Sequence, residues 1–407
     1  MNKKPTNCTQ AALRIQTYYA GKNQATHPNV IELDPPLGGY RYLMGYTAFP
    51  YANGAEENPC LAASNDLLHW EKPEGLINPI ACAEELECDE LKDTHLLYNK
   101  DLQRLEMWYL GRIQSDLQSG GSLYCLRKTS ADLVHWSPYE VMYQFTGFNL
   151  CSPTILWEDG EYHFWGIRSD KTDTGLYFMK SADGSEWSSL ERCSLEKDWK
   201  TELWHGTVIR TAERYEFVWV GKTGKNAQKI FHAVSKDGKI FTGTNTIVSN
   251  DTKWSRLYRP ALLYTDGQYA CFYGVVRKDG KWLIGISTGS SVNKLIGLAE
   301  PEAVNDQAYC STSSKMRRQA KVREYLVLLV PSMALFIPAY GLAYAFIRNI
   351  IVIWFVGILI TTALYYCRFN RKKCIQGGIW MGTLCCSAGL FLYTVCSEVF
   401  NLFFNGT

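Results

Sequence analysis

Five polar residues, each placed just before an apolar run, stand at intervals of 53 to 66 residues along the chain. These ring residues are His27, Asp93, Ser152, His205 and Arg259. Histidine titrates near neutrality and can transfer protons, aspartate can act as a base, and arginine can bind an anionic group. If the fold brings the five together, they form a polar ligand site.

Each ring residue opens a segment with the pattern of a β-hairpin. In "SPTILWEDGEYHFWGI" (152–167), Asp-Gly joins two runs rich in Ile, Tyr, Phe and Trp, which is a strong hairpin signal. The layout recurs in "HPNVIELDPPLGGYRYLMGY" (27–46), "DTHLLYNKDLQRLEMWYLG" (93–111), "HGTVIRTAERYEFVWVG" (205–221) and "RPALLYTDGQYACFYGV" (259–275). A single hairpin is marginal in water, so the five copies must bury their apolar faces against one another.

A second motif, Ser-x-Asp-x-x-x-aromatic, follows four of the five hairpins. It runs from Ser64 to Trp70, from Ser130 to Trp136, from Ser181 to Trp187 and from Ser235 to Phe241. Ser and Asp side chains close turns, so the motif predicts the end of a third strand, with the aromatic ring filling the space between units.

Radial repetition of four-stranded sheets predicts an all-β fold, a five-bladed β-propeller, over residues 1–310, with a β-sandwich as the alternative. The first-strand starts of a propeller converge at one mouth of its central channel. Segment 12–21 has strand character and is expected to pair into the fifth blade and close the ring, because closure protects exposed sheet edges.

The X-Pro dipeptides at strand starts ("HPNV", "SPTI", "RPAL") and the Ser-x-Asp motifs ending in Trp resemble the five-bladed propellers of glycoside hydrolase families 43 and 32. The resemblance covers about residues 25–295. It implies an Asp before Pro in the first blade, a second Asp before Pro near the middle and a Glu before Gly as general acid. The matching positions hold His27, Ser152 and His205, so the usual catalytic carboxylates are expected to be replaced.

Glycoside hydrolysis normally needs two carboxyl groups, one as acid and one as base or nucleophile. Asp93 is the one acid among the ring residues and is expected to be the base, and Glu202, three residues before His205, is the candidate acid. His205 could instead serve as the acid or base. The expected catalytic residues are therefore Asp93, His205 and Glu202.

Substrate contacts are expected from the remaining ring residues and from polar or aromatic neighbours. These residues are His27, Asn29, His95, Ser152, Trp204 and Arg259. His27 and His205 with Asp93 or His95 could also form a two-histidine, one-carboxylate metal set. No local spacing such as His-x-x-x-His supports that alternative, so the sequence predicts neither a metal nor another cofactor.

Two classes of function fit these residues. One is a membrane-anchored, glycosidase-like hydrolase that acts on a glycan or sugar conjugate. The other is a noncatalytic sugar-binding or scaffolding module whose aromatic mouth (Trp204, Trp157, Tyr258 and Tyr46) stacks on sugar rings.

The composition changes abruptly near residue 324. After a basic linker at 311–324, the apolar runs 325–347, 350–367 and 378–396 predict a C-terminal α-helical membrane segment (325–407) with about three transmembrane helices that contact the lipid bilayer. The basic clusters "KMRRQAKVR" and "RFNRKK" belong on the cytoplasmic side. The chain is therefore expected to be an integral membrane protein with a cytoplasmic propeller.

Charge and cysteine content exclude other classes. From residue 315 onward, ten Lys or Arg residues against two Glu residues give +8, and the chain total of +2 leaves −6 for the propeller. An acidic propeller is a poor ligand for phosphate backbones, so no nucleic-acid partner is expected. The fourteen cysteines show neither zinc-ligand spacing nor a disulfide framework.

Overall fold

Five β-sheets, each beginning close to one ring residue, make up the described part of the chain. The computed structural model describes residues 6–17, 22–86, 88–113, 122–170, 173–198, 201–223, 226–250 and 253–299. Apart from one short edge strand, consecutive strands within each sheet pair antiparallel, because the short hairpin tips seen in the sequence bring neighbouring strands side by side.

The strands group into blades in chain order. Blade 1 contains β1 (Ala25–Leu37), β2 (Tyr40–Ala48) and β3 (Pro59–Ser64). Blade 2 contains β4 (Glu90–Asn99), β5 (Arg104–Ile113), β6 (Ser122–Ser130) and β7 (Glu140–Thr146). Blade 3 contains β8 (Leu150–Glu158), β9 (Glu161–Ser169), β10 (Thr174–Ser181) and β11 (Glu191–Arg192).

Blade 4 gains one extra strand at its outer edge. It contains β12 (Ser194–Leu195), β13 (Glu202–Arg210), β14 (Tyr215–Thr223), β15 (Asn226–Ser235) and β16 (Ile240–Ser249), and β12 runs parallel to β16. Blade 5 contains β17 (Arg256–Thr265), β18 (Gln268–Val276), β19 (Trp282–Gly289) and β20 (Ile296–Gly297).

The first strands of the blades pack against one another in a closed order: β1, β4, β8, β13, β17 and again β1. Five separate apolar clusters fill the spaces between neighbouring blades. This arrangement confirms the predicted five-bladed β-propeller, with the first strands innermost around the channel.

The Ser-x-Asp motif ends the third strand of four blades, as the sequence predicted. Strands β3, β6, β10 and β15 end at Ser64, Ser130, Ser181 and Ser235. In the first copy, Asp66 accepts backbone hydrogen bonds from Leu68 and His69, and Trp70 contacts Phe272 of blade 5 with ring centres 6.0 Å apart. The motif therefore closes a turn and fills the gap between blades.

The segment before blade 1 packs on blade 5. The amides of Gln10 and Ala11 donate to the Leu298 carbonyl, and the Leu13 amide donates to Ile284 of β19 at 2.8 Å. This pairing supports the predicted closing role for residues 12–21, although residues 12–17 form no regular strand and 18–21 lie outside the described residues.

The predicted linker at 311–324 and the three predicted transmembrane helices also lie outside the described residues. Within the residues that the structure does describe, no helix is long and apolar enough to cross a bilayer. The C-terminal membrane segment and the cytoplasmic location of the propeller therefore stay predictions.

Candidate active site

A break in strand register occurs at every ring position. The breaks lie between Thr26 and Asn29, Lys92 and His95, Cys151 and Thr154, Leu203 and His205, and Tyr258 and Pro260. His27, Asp93 and Ser152 also have positive φ angles of 53°, 55° and 54°. Bulges re-aim side chains, and a positive φ is costly for residues other than glycine. All five innermost strands thus break register at or beside their ring residue, and three of the five ring residues also have a left-handed backbone.

Asp93 lies at the centre of this ring. Its Oδ1 is 3.1 Å from Arg259 Nη1, 3.6 Å from His27 Nε2 and 3.7 Å from His205 Nδ1. Asp93 is 1% exposed and Arg259 is fully buried. The predicted convergence of the ring residues is confirmed, and their roles in binding or catalysis stay predictions.

Burial and neighbouring charges set the protonation states in the ring. Burial opposes the negative charge of Asp93, but His27 and His205, when protonated, and the Arg259 guanidinium outweigh it and hold the pKa of Asp93 well below its usual range. Burial keeps the pKa of His205 well below its ordinary value, although the negative charge of Asp93 raises it. At neutral pH the ring therefore holds an aspartate anion beside an uncharged imidazole.

Ser152 and His205 are adjacent, yet they do not form a catalytic triad with Asp93. In a triad, the histidine meets the serine and the aspartate through different ring nitrogens. Here Ser152 Oγ, at 2.8 Å, and Asp93 Oδ1, at 3.7 Å, both face His205 Nδ1. Ser152 therefore orients His205 and is not placed to act as an activated nucleophile.

Glu57 belongs to the site, although no pattern in the sequence pointed to it. It follows the 3₁₀ turn Gly54–Glu56 and lies outside the strand starts, where the repeat pattern says nothing. Its Oε1 is 2.9 Å from His27 Nδ1, and Thr47 Oγ1 is 3.0 Å from the same nitrogen. The other ring nitrogen, Nε2, faces Asp93 and has no hydrogen-bond partner.

These contacts fit a divalent cation. His27, Asp93 and His205 each offer one ligand atom, and the three atoms lie within 4.8 Å of one another. Metal-binding histidines usually donate their second nitrogen to a carboxylate or another acceptor. For His27 that acceptor is Thr47 Oγ1, and Glu57 Oε1 lies at ion-pair distance from the same nitrogen without forming a hydrogen bond. Arg259 shares Asp93 Oδ1 and would compete with a cation for that oxygen.

Two predicted binding residues link blades one layer below the ring. Asn29 Oδ1 accepts a hydrogen bond from the Leu96 amide at 2.7 Å, which joins blade 1 to blade 2. His95 Nε2 donates to the Ile155 carbonyl at 2.9 Å, which joins blade 2 to blade 3. Burial, and then the charge of Arg259, lowers the pKa of His95 to about 3. Both contacts are structural ones.

Glu202 and Trp204 lie at the entrance to the ring. Glu202 is exposed at the first residue of β13, across from Lys222 of β14, and the structure does not bring it to the ring. The Trp204 ring centre is 5.2 Å from that of His205 and 4.7 Å from that of Tyr258. Trp204 and Tyr258 thus form an aromatic wall beside the histidines, whereas Glu202 is poorly placed to be the acid.

The two other predicted mouth aromatics lie elsewhere. Tyr46 is buried and donates to the Gln16 carbonyl, and Trp157, near the far end of β8 from Ser152, donates to Asp101. Phe49 and Trp282 take their place in the wall, since Phe49 is 6.3 Å from the His27 ring and Trp282 is 4.9 Å from Tyr258.

Comparison with known proteins supports the fold. No protein-family profile matches the chain. The A type blood N-acetyl-alpha-D-galactosamine deacetylase of Flavonifractor plautii is 26% identical over an alignment 316 residues long, and the match covers 63% of this chain and 40% of that protein. The chain thus spans less than half of the length of this relative.

Two crystal structures share the architecture. An N-acetylgalactosamine deacetylase from F. plautii in complex with blood group B trisaccharide gives a TM-score of 0.60 at 21% identity, covering 71% of this chain and 95% of that chain. A thermostable family-43 glycoside hydrolase gives a TM-score of 0.51 at 15% identity, covering 69% and 95%. The chain therefore has the five-bladed propeller fold of the family-43 type, and its relatives act on sugars.

Proposed function

We propose that this protein is a carbohydrate-active hydrolase that removes an acetyl group from an N-acetylated sugar conjugate at the propeller mouth. The observation that supports this reaction most directly is the buried cluster of His27, Asp93 and His205, with His27 Nε2 left without a hydrogen-bond partner. The name of the F. plautii relative, a deacetylase, points the same way.

Glycosidic cleavage is less well supported by the same geometry. A glycosidase needs a carboxylic acid that is protonated near neutral pH to donate to the leaving oxygen. Asp93 is held ionised by its neighbours, and Glu57 is separated from it by the His27 ring. Neither carboxyl group is placed to act as that acid.

Each residue of the site has a defined task in amide hydrolysis. A divalent cation held by His27, Asp93 and His205 would polarise the acetyl carbonyl. Thr47 and the nearby Glu57 charge fix the orientation of His27, Ser152 fixes that of His205, and Arg259 keeps Asp93 ionised. Trp204 and Tyr258 supply the apolar surface on which a sugar ring stacks.

Noncatalytic sugar binding is the second candidate function. It is favoured by the Arg259–Asp93 contact of 3.1 Å, because that ion pair already satisfies the oxygen that a cation would use. A binding module would keep the aromatic wall and the polar ring but release no product.

The reaction is tested by incubating the full-length protein with N-acetylgalactosamine and N-acetylglucosamine glycosides and measuring released acetate and released sugar separately. Chelation should abolish acetate release and a divalent cation should restore it. Asp93→Asn and His205→Gln should lose most activity, whereas His135→Gln, at an exposed histidine of blade 2, should act like wild type. Released sugar without acetate would indicate a glycosidase, and binding without either product would indicate the second candidate.

We also propose that residues 325–407 anchor the propeller to the cytoplasmic face of a membrane. The support is the apolar character of 325–347, 350–367 and 378–396 and the basic clusters beside them. A reporter active only in the cytosol should work at the N-terminus and fail after Thr407. The reverse pattern would place the propeller on the other side.

A further inference from the structure

Gln24 joins the backbone of blade 1 to that of blade 5 beside the aromatic wall. It immediately precedes β1 and is 1% exposed. Its side-chain Oε1 accepts two backbone hydrogen bonds, one from Tyr51 and one from Trp282, each at 3.0 Å. Its backbone carbonyl accepts a third, from Phe49, also at 3.0 Å. Because both partners of Oε1 are N–H donors, only a side chain with an acceptor satisfies them.

The two segments that Gln24 joins carry rings of the wall. Trp282 lies between Phe49 and Tyr258, with its ring centre 4.9 Å from each and interplanar angles of 79° and 84°. Phe49 and Tyr258 in turn lie 6.3 Å and 5.2 Å from the His27 ring. Trp282 is buried, whereas Phe49 and Tyr258 are partly exposed. Trp282 therefore sets the spacing of two rings that a sugar can reach.

The loop that carries Phe49 does not keep its conformation by local preference alone. Tyr51 and Ala52 are consecutive non-glycine residues with positive φ angles of 53° and 62°. Such residues are costly and persist only where the surroundings fix them. Gln24 holds the Tyr51 amide at the start of this pair. Loss of the Gln24 acceptor would therefore release the loop, and Phe49 with it, toward other conformations.

We propose that Gln24 is a positioning residue for sugar binding. By holding Phe49 and Trp282, it keeps the aromatic wall in the shape that receives a sugar ring. This inference rests on the proposed function, because it takes the propeller mouth as the place where the sugar lies. Stacking needs ring planes that are fixed before the sugar arrives, since ordering them on binding would cost affinity. Gln24 is too deeply buried to touch a substrate, so it acts through the two segments that it joins.

The test uses the full-length protein and the methyl glycosides of N-acetylgalactosamine and N-acetylglucosamine, with binding measured by calorimetry and turnover by acetate release. Gln24→Met keeps the length of the side chain but removes the acceptor. The dissociation constant and KM should rise about tenfold, while kcat changes by less than about twofold. Gln24→Glu, which keeps an acceptor oxygen, should retain most of the affinity. Gln24→Asn, whose oxygen falls one methylene short, should give an intermediate loss and replaces the Met variant if that variant does not fold.

Two controls separate positioning from a general loss of stability. Asn78 is also buried and bonds to backbone, since its Oδ1 accepts from the Leu61 amide at 3.1 Å and its Nδ2 donates to the Leu61 carbonyl at 2.9 Å. Asn78→Leu should lower the melting temperature about as much as Gln24→Met and leave the affinity for both glycosides unchanged. In a Phe49→Leu background, Gln24→Met should add less than about threefold, because the two changes act on one surface.

The outcomes distinguish this inference from the proposed reaction. Unchanged affinity in Gln24→Met, an equal loss in Asn78→Leu, or fully additive losses in the double variant would overturn the inference even if acetate is released. Sugar binding that depends on Gln24 without acetate release would instead count against the proposed reaction and leave the positioning role standing. Failure of the wild type to bind either glycoside would overturn both.

Discussion

At the scale of single residues, the ring is defined by the partners of its histidines. His27 has Glu57 and Thr47 on one nitrogen and a free nitrogen toward Asp93, whereas His205 is held by Ser152. Because a histidine's second hydrogen bond sets its tautomer and orientation, the contacts at His27 Nδ1 decide which of its nitrogens faces the centre. The chemistry of the ring thus depends in part on Thr47 and Glu57, which do not face the reaction centre themselves.

Glu57→Gln tests Glu57 as a positioning residue. Gln keeps the size of the side chain but removes the negative charge that lies 2.9 Å from His27 Nδ1. We expect the concentration of divalent cation needed for half-maximal acetate release to rise about 10- to 100-fold, with little change in melting temperature. Thr47→Val, at the second partner of the same nitrogen, should have a smaller effect in the same direction. A variant with wild-type cation dependence would make Glu57 purely structural.

Protonation of His95 couples stability to pH. Its pKa falls from 6.5 in the unfolded chain to about 3 in the fold, so the unfolded chain binds the proton more readily between these values. The stabilisation is complete above pH 6.5 and is lost as the pH falls toward 3. We expect His95 to account for a loss of about 3 kcal/mol in the free energy of unfolding between pH 6.5 and pH 4.

Urea denaturation at several pH values measures the slope of the free energy of unfolding against pH. His95→Gln, whose amide can still donate to the Ile155 carbonyl, should flatten it over the same range, and the neutral His205 should leave a residual slope of the same sign. Identical slopes in wild type and variant would show that His95 does not titrate as proposed.

At the scale of elements, a tyrosine-to-glutamate hydrogen bond recurs between neighbouring blades. Tyr162 of β9 donates to Glu106 of β5 at 2.8 Å, and Tyr269 of β18 donates to Glu216 of β14 at 2.8 Å. Tyr215 of β14 contacts Glu158 of β8 in the same way. In each case the tyrosine comes soon after a hairpin tip, so the repeat that shapes each hairpin also places a polar link to the preceding blade.

Removing one such link should destabilise the propeller measurably. Tyr162→Phe leaves the buried Glu106 carboxylate and the Arg127 guanidinium without the hydroxyl that contacts both. We expect the free energy of unfolding to fall by about 1.5–3 kcal/mol, the usual range for hydrogen bonds to charged groups. Tyr264→Phe, at an exposed tyrosine of blade 5, is the control and should change stability by less than about 0.5 kcal/mol. Equal effects in the two variants would contradict the role of the link.

At the scale of the whole molecule, closure of the ring involves the chain before the first blade. Cys8, Leu13 and Ile15 are buried against blades 1, 4 and 5, and Trp254 Nε1 donates to the Thr9 carbonyl at 2.8 Å. This segment covers apolar surface on the fifth blade that would otherwise be open to water.

Deleting residues 1–22 should therefore sharply lower the thermal stability of the propeller. Burial of a large apolar side chain is worth about 1.5–3 kcal/mol, so the loss of Leu13 and Ile15 alone costs several kcal/mol. Leu13→Ala should lower the free energy of unfolding by about 2–5 kcal/mol, which is less than the effect of the whole deletion. Thermal denaturation of the purified proteins measures both, and an unchanged melting temperature in the deletion would show that the segment does not close the ring.

The sequence by itself determined the five blades, the strand ends and the positions of the ring residues. Asp-Gly tips, period-two alternation and the Ser-x-Asp motif are local signals, and repetition aligned His27, Asp93, Ser152, His205 and Arg259 at equivalent places. Propeller geometry then required them to converge, because equivalent strand starts meet at the channel.

The tertiary structure alone decided how these residues are partnered. Glu57 lies in an irregular loop with no repeat counterpart, so only the packing of that loop brings it to His27. The sequence pattern places Asn29 and His95 facing inward, yet each forms a hydrogen bond to the next blade. Glu202, by contrast, stays at the surface. Such contacts join residues far apart in the chain and depend on bulges and side-chain orientations of a few ångströms, which residue type and spacing do not specify.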